Sequence, residues 1–193
     1  MNKNEIPKIL IALANSRKPR KPSGYRVKLV NDQLADSISA ISFLTDLENL
    51  GDYAMGAFHE PIDDDVLTEL HHLREAIEKI IEVLANTNQM NDHSSDLCLP
   101  AQSLSFLNRL SSTCQWTKTI GPNLEMTEIA IDRNLVGLLA SKCIRELASF
   151  DPSRIKRCER PECGHFFYDT TRNRNAKWHA EDPCGWRSRS DRR

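Results

Sequence analysis

Three of the chain's six cysteines crowd with two histidines into one short stretch, CERPECGHFFYDTTRNRNAKWHAEDPC, from Cys158 to Cys184. Cys158, Cys163, His179 and Cys184 have the spacing C-x4-C-x15-H-x4-C. Two close pairs joined by a longer loop suit tetrahedral zinc, which takes four soft or borderline donors at about 2.0–2.3 Å. Each short loop closes on the ion with little loss of entropy. Proline and glycine stand at the tight places: Pro161 and Gly164 around the first pair, Pro183 and Gly185 around the last ligand. Four protein ligands leave no open position, so one such zinc is structural, and in a segment this poor in aliphatic residues it supplies most of the folding energy. The same residues also fit three free thiols beside a surface histidine, or one disulfide with a spare thiol. Iron–sulfur ligation usually takes four cysteines. His165, beside Cys163, is a rival fourth ligand; His179 is preferred because its spacing to Cys184 mirrors that of the first pair. Between the pairs, HFFYD is predicted to form a strand whose Phe166 or Phe167 covers the metal.

The remaining cysteines, Cys98, Cys114 and Cys143, are scattered. A secreted disulfide scaffold is shorter and denser in cysteine, and in a reducing compartment a bunched Cys/His set more often binds metal. The first residues carry one Lys-flanked apolar run, 9–14, too short for a secretory signal. No apolar run approaches the roughly 20 residues of a membrane span. A cytoplasmic protein without membrane attachment is expected.

The elements that must position the cluster are mainly helical. A basic, proline-containing stretch, RKPRKPSGYRVK, reads as a loop or extended arm. A helix is predicted from Asn31 or Asp32 as cap to Gly51, with Leu34, Ile38, Ile41, Phe43 or Leu44, and Leu47 on its apolar face. The strongest periodicity follows the acidic trio at 63–65 and runs through Val66, Leu70, Leu73, Ile77, Ile80, Ile81 and Leu84. AQSLSFLNRL reads as a short helix. CQWTKTIGPNLEMTEIAI, around a Gly-Pro turn, fits a hairpin or an extended connection. A last helix is predicted from Asp132 through Leu135, Leu138, Leu139, Cys143 and Leu147 to the Asp151-Pro152 break. The expected architecture is a helical body at 1–152 and a small zinc-binding module of short strands and a turn or helix at 153–193.

Charge separates the same two parts. From Arg154 onward there are 11 Lys and Arg against 6 Asp and Glu, a net of +5, whereas the whole chain is at −1. Arg172, Arg174, Lys177, Arg187, Arg189, Arg192 and Arg193, with Trp178 and Trp186 among them, are the candidate nucleic-acid contacts. Arginine pairs with phosphate oxygens, and an indole stacks on unpaired bases. The competing reading is a solvated face that neutralises an anionic zinc site, with Asp169 and Arg172 paired across the turn. Asn15, Ser16 and Arg17 follow the apolar run 9–14. They read either as a polar cluster lining an effector pocket (Asn15 and Arg17 its candidate residues) or as an element end tied down by the Asn side chain. His71 and His72 lack the spacing of a zinc protease and are expected at the surface or its boundary, with Cys143 in the core. No nucleophile elbow, phosphate loop or dinucleotide turn occurs, and no enzymatic activity is expected.

RCERPECGHFFYDTTRNRNAKWHAEDPCGWR resembles the C-terminal zinc module of the CGNR family. Phe167-Tyr168-Asp169 matches its F-x-D strand, Thr171-Arg172-Asn173 its [ST]-R-N turn, Lys177-Trp178-His179 the step to the third ligand, and Cys184-Gly185-Trp186-Arg187 the signature. Upstream, Leu13-Ala14-Asn15-Ser16 is similar to an early F-x-N-T, Asp32-Gln33-Leu34 to D-x-L, and LREAI to L-R-x-A. The resemblance implies an N-terminal helical domain of the ABATE type, a role as a stress-induced transcription regulator, and DNA binding by the module. Two residues depart from the pattern: His179 stands where a cysteine is usual, and Trp186 replaces the signature asparagine. The basic helix that usually follows is cut to SRSDRR. The reading is a zinc-stapled regulator that attaches to DNA; the alternative is a protein-interaction or effector-binding protein, with a homodimer or protein partner and a small-molecule effector open to it.

Overall fold

The longest apolar stripe forms the longest helix. In a computed structural model describing residues 5–17, 32–50, 62–89, 98–130 and 134–190, α3 spans Asp64–Gln89. The Asp63 side chain caps it, accepting from the Val66 N–H at 2.8 Å. Asp64 and Asp65 occupy its first turn, at the positive end of the helix dipole. Leu70, Leu73, Ile77, Ile80, Ile81 and Leu84 are all buried, as their spacing predicts.

The run 9–14, assigned no element from sequence, lies within helix α1, Lys8–Asn15, with Ile9, Leu10, Leu13 and Ala14 buried. Pro7 gives α1 no side-chain cap. The carboxylate of Glu146, far along the chain, fills that place by accepting from the Ile9 N–H at 3.1 Å and the Leu10 N–H at 2.9 Å. Burial raises the Glu146 carboxyl above its ordinary range, against the pull of these amides.

Helix α2, Ser37–Leu50, starts later than predicted. Asp36 caps it, accepting from the Ser39 N–H at 2.7 Å. Asp32 instead holds a turn, accepting from the Leu34 N–H at 2.9 Å and pairing with buried Arg74 of α3. Leu34 therefore enters the core from the turn, and the helix takes its phase from Ala40, Phe43, Leu44 and Leu47. Ile38 and Ile41, predicted on the apolar face, point outward, with Ile38 82% exposed. Asn31, Gly51, Asp132 and nearly all of the basic arm lie outside the described residues.

Helix α4, Ala101–Ser111, leads into an antiparallel hairpin, β1 Trp116–Ile120 and β2 Met126–Ala130, registered Trp116 to Ala130. Of the two readings of that segment, the hairpin forms. Helix α5, Leu135–Ser149, is capped by Asn134, whose side chain accepts from the Gly137 N–H at 2.8 Å. Gly137 lets α4 and α5 meet closely: a Cβ there would sit 2.6 Å from Thr113 Oγ1 and 3.0 Å from the Leu110 carbonyl. Cys143 and Cys114 are buried, and Cys98 is exposed. His71 is half-buried, its Nε2 2.6 Å from the Leu34 carbonyl, and His72 is exposed.

The chain then forms a second antiparallel hairpin, β3 Ile155–Arg157 with β4 Phe166–Tyr168, and ends in a short helix, α6 Trp186–Ser190. Ile155 and Phe166 belong to the same buried cluster as the helices. Asn88 of α3 donates to the Pro152 and Ile155 carbonyls at 2.7 and 2.8 Å, seating β3 on that helix. The architecture is thus mainly α with a C-terminal module of short strands. No described helix is long and apolar enough to cross a membrane.

Candidate metal centre

Cys158 follows β3, Cys163 ends the turn after it, His179 lies in the loop beyond β4, and Cys184 precedes α6. One ligand atom from each lies within 4.8 Å of all the others. A tetrahedral ion with bonds of about 2.0–2.3 Å spaces its ligand atoms roughly 3.3–3.8 Å apart, so closure takes shifts of about 1 Å or less. The three cysteines are 0–4% exposed. Gly164, at φ +61°, supplies the left-handed residue that turns the chain from Cys163 into β4. A Cβ on Gly185 would lie 3.1 Å from the Trp178 ring and 2.5 Å from Glu181 Oε2, so the ring packs closely on the backbone there.

The electrostatics suit a dication. Left to themselves, the three sulfurs compete for ionisation. A hydrogen bond from the Cys163 thiol holds Cys158 far below its ordinary value despite burial, helped by the His179 ring and the amides of His179 and Arg160. Its bond to Cys158, and burial, push Cys163 up, while burial and the Cys158 charge push Cys184 up. A bound dication offsets two of the three thiolate charges, and the buried Arg160 guanidinium, which favours the Cys184 thiolate, lies against the one that remains. Amides donating to sulfur from two residues on (Arg160 to Cys158, His165 to Cys163) fix the thiolates in place.

The geometry separates the two histidines. His179 Nδ1 is 3.4 Å from Cys163 Sγ and is part of the four-membered group. His165 Nδ1 approaches the same sulfur at 3.3 Å but is not in that group. Its ring stacks on His179, with centroids 4.9 Å apart. His165 thus packs on the His179 ring and lies outside the four-atom group. His165→Ala is expected to retain one zinc per chain and His179→Ala to lose it, as read by metal analysis of the purified variants.

Trp178, not a phenylalanine, packs against the thiols. Alternation along β4 turns Phe166 and Tyr168 to the helical core, where Tyr168 meets Phe150 edge-on. Asp169 does not pair with Arg172. It is 1% exposed, and its oxygens accept from Lys156 Nζ, the Thr171 hydroxyl and the Thr171 and Ala176 amides. Sequence gave no signal for this beyond the Asp-x-Thr spacing typical of a side chain closing its own turn.

The basic residues divide between partners. Arg174 pairs with Asp151 at 2.9 Å, Lys177 lies 3.5 Å from Glu159, and Arg189 pairs with Glu181. Arg189 also lies over the Trp178 ring, 5.4 Å from its centroid. Arg172 is exposed, Arg187 half-buried, and Trp186 61% exposed. Arg192 and Arg193 lie outside the described residues.

Asn15 and Arg17 do not converge on one ligand. The Asn15 amide pairs with β4 as a neighbouring strand would, its Nδ2 donating to the Phe166 carbonyl at 2.8 Å and its Oδ1 accepting the Phe166 N–H at 2.9 Å. Arg17 turns to α3 and pairs with Glu78 at 3.0 Å. Asn15→Ala leaves both backbone groups of Phe166 without these partners and is expected to cost about 2–4 kcal/mol of stability in urea unfolding, with zinc content unchanged. Asn15 also borders a cleft of about 450 Å³, which Phe43, Leu47, Asp46 and His165 line with it.

A helical body joined to a buried Cys3His cluster defines the class: a helical protein with a structural zinc-binding module. Residues 154–193 match the family model described as the CGNR zinc finger. That match and the cluster together assign one structural zinc to Cys158, Cys163, His179 and Cys184. No curated protein matches the chain significantly.

Proposed function

We propose that the chain is a transcription regulator whose zinc module attaches to DNA, with the helical body, of the ABATE type, as its sensing or dimerising part. The observation that carries this reading is the surface at α6. Trp186 is exposed there, Arg189 follows it by three residues on the same side, and Arg189 in turn covers Trp178. The pairing of Arg189 with Glu181 does not disqualify it, because exposed ion pairs are worth little and phosphate oxygens compete well for arginine. Zinc holds this surface in shape and takes no part in chemistry. Fluorescence anisotropy with a random-sequence duplex tests the proposal. Affinity is expected to fall with salt at a log–log slope of about −0.9 per phosphate contact, and Arg187→Ala with Arg189→Ala to reduce that slope by about two. Lack of binding at low salt by zinc-loaded protein would remove the DNA role.

The cleft beside Asn15 favours a second reading, a zinc-stapled protein that binds a small effector. Its walls are mixed apolar and polar, its size falls within the range of about 300–1,000 Å³ for small-molecule sites, and His165 connects it to the metal cluster. A ligand that raises the melting temperature of the zinc-loaded wild type but not of Phe43→Ala, with no DNA binding by either, would select this reading.

A further inference from the structure

Two tryptophans stand near the zinc site, and the fold treats them differently. Trp178 is half-buried, packs against the thiols and has the Arg189 guanidinium over its ring at 5.4 Å. Trp186, the first residue of α6, is 61% exposed. The module's other aromatic side chains, Phe166, Phe167 and Tyr168, are buried or half-buried like Trp178. An indole left in water on a basic surface suits a partner that is flat, apolar on its faces and anionic at its edge. Charge supplies the second requirement: residues 154–193 carry a net +5, and α6 holds Arg187 and Arg189 with no acidic residue. Arg189 follows Trp186 by three positions and so shares its side of the helix. Stacking on the exposed ring does not require either arginine to be without a partner.

A nucleotide combines these properties, but only when unpaired. In a duplex each base face is covered by its neighbours, and an indole reaches one only at the cost of unstacking. The module is also poorly shaped for reading a groove. The five described residues of α6 rise about 7.5 Å, against a major groove about 12 Å wide. The β3–β4 hairpin is engaged elsewhere, with Ile155 and Phe166 in the helical core. We propose that α6 selects single-stranded DNA, with Trp186 stacked on one unpaired base and Arg187 and Arg189 against the phosphates beside it. This rests on the attachment to DNA proposed above and adds what the surface selects, an exposed base face.

The test compares anisotropy titrations of the zinc-loaded full chain with two probes. One is an oligothymidylate of about 20 nucleotides, longer than single-strand sites of about 4–16 nucleotides, and the other is a duplex of the same length. Trp186→Ala is expected to lower the ratio of single-strand to duplex affinity by roughly 5–150-fold, the loss of one base–aromatic stack. The salt slope for the single strand should stay unchanged in that variant, because no charge is removed. Trp186→Phe keeps a ring and should retain most of the affinity. Oligothymidylate should also quench part of the wild-type tryptophan fluorescence, and that part should be missing in Trp186→Phe. An unchanged ratio in Trp186→Ala, or undiminished quenching in Trp186→Phe, would overturn the single-strand preference, while duplex binding by the wild type would preserve the broader DNA role. Binding to neither probe would remove both. Association with vesicles of phosphatidylserine and phosphatidylcholine that depends on Trp186, without oligonucleotide binding, would instead make α6 a lipid contact.

Discussion

Cys184→Ala is expected to reduce the zinc content from one per chain to none and to unfold the segment from Cys158 through α6. Cys184 is fully buried among the other sulfurs, and the only apolar side chain that packs on that cluster is Trp178 among the described residues. Apolar burial there cannot hold the fold without metal. Structural zinc contributes an apparent 10–16 kcal/mol in zinc-finger peptides, against which a single thiol is decisive. The change should appear first at amides held by the module's own loops: Glu159, bonded to the Lys177 carbonyl at 2.9 Å, and Gly185, bonded to the Ala180 carbonyl at 3.2 Å. Hydrogen exchange at both should approach unfolded rates in the variant, and the same loss should follow treatment of the wild type with a strong chelator. Retention of one zinc, or protected amides in the zinc-free variant, would refute the assignment of Cys184. The effect should also reach the body, because Ile155 and Phe166 sit in its core. A lower melting temperature is therefore expected for the whole chain.

The second large effect is at Asp169. Its carboxylate joins β3, through Lys156 Nζ at 2.8 Å, to the turn after β4, through the Thr171 and Ala176 amides, each at 2.9 Å. Asp169→Ala takes the acceptor from two amides and leaves a largely buried ammonium with only the Arg174 and Ala176 carbonyls, and removal of one partner of a buried pair costs about 3–5 kcal/mol. Asp169→Asn keeps the shape and isolates the charge. Burial alone would raise this carboxyl, but Lys156, the Thr171 hydroxyl and the two amides outweigh it and hold it at about 2. A folded value below the unfolded one, about 3.9, means that the contribution is complete above about pH 4 and is lost as pH falls toward 2. Zinc also leaves its thiolates in acid, so the measurement is a difference. The stability gap between wild type and Asp169→Asn, from denaturant unfolding at stepped pH, should close over that window. A gap that stays constant through it would show that the charge of Asp169 contributes nothing.

What sequence alone could show depended on how local the cause was. The four metal ligands were legible because zinc chemistry fixes both their types and their spacing. Helix α3 was legible because it buries one continuous stripe behind an acidic cap. Helix α2 was half legible. Its apolar residues were visible, but Asp32 spends its carboxylate on Arg74, 42 residues away, and that contact shifts the helix start and turns Ile38 outward. Nothing near Glu146 announces that it caps α1, and nothing near Asn15 announces a strand edge, because the partners lie 136–151 residues away. The cover of the metal cluster is Trp178, where the strand HFFYD offers Phe166 or Phe167, for a similar reason. Which face of a short strand meets the core is decided by what packs on it, and α1 and α3 claim Phe166.

Those same long separations govern the order in which the molecule can be made. Helix α1 leaves the ribosome before the other described elements, yet the groups that complete it, the Glu146 carboxylate and the Phe166 backbone, come more than 130 residues later. At about 5–20 residues per second, that is a wait of roughly 7–27 s. Throughout that interval the buried face of α1 (Ile9, Leu10, Leu13 and Ala14) lacks part of its final cover. A nascent chain of this design offers a hydrophobic segment to chaperones early. It withdraws that segment only when the β3–β4 hairpin emerges, which places the arrival of metal and the completion of the body within the same step of synthesis.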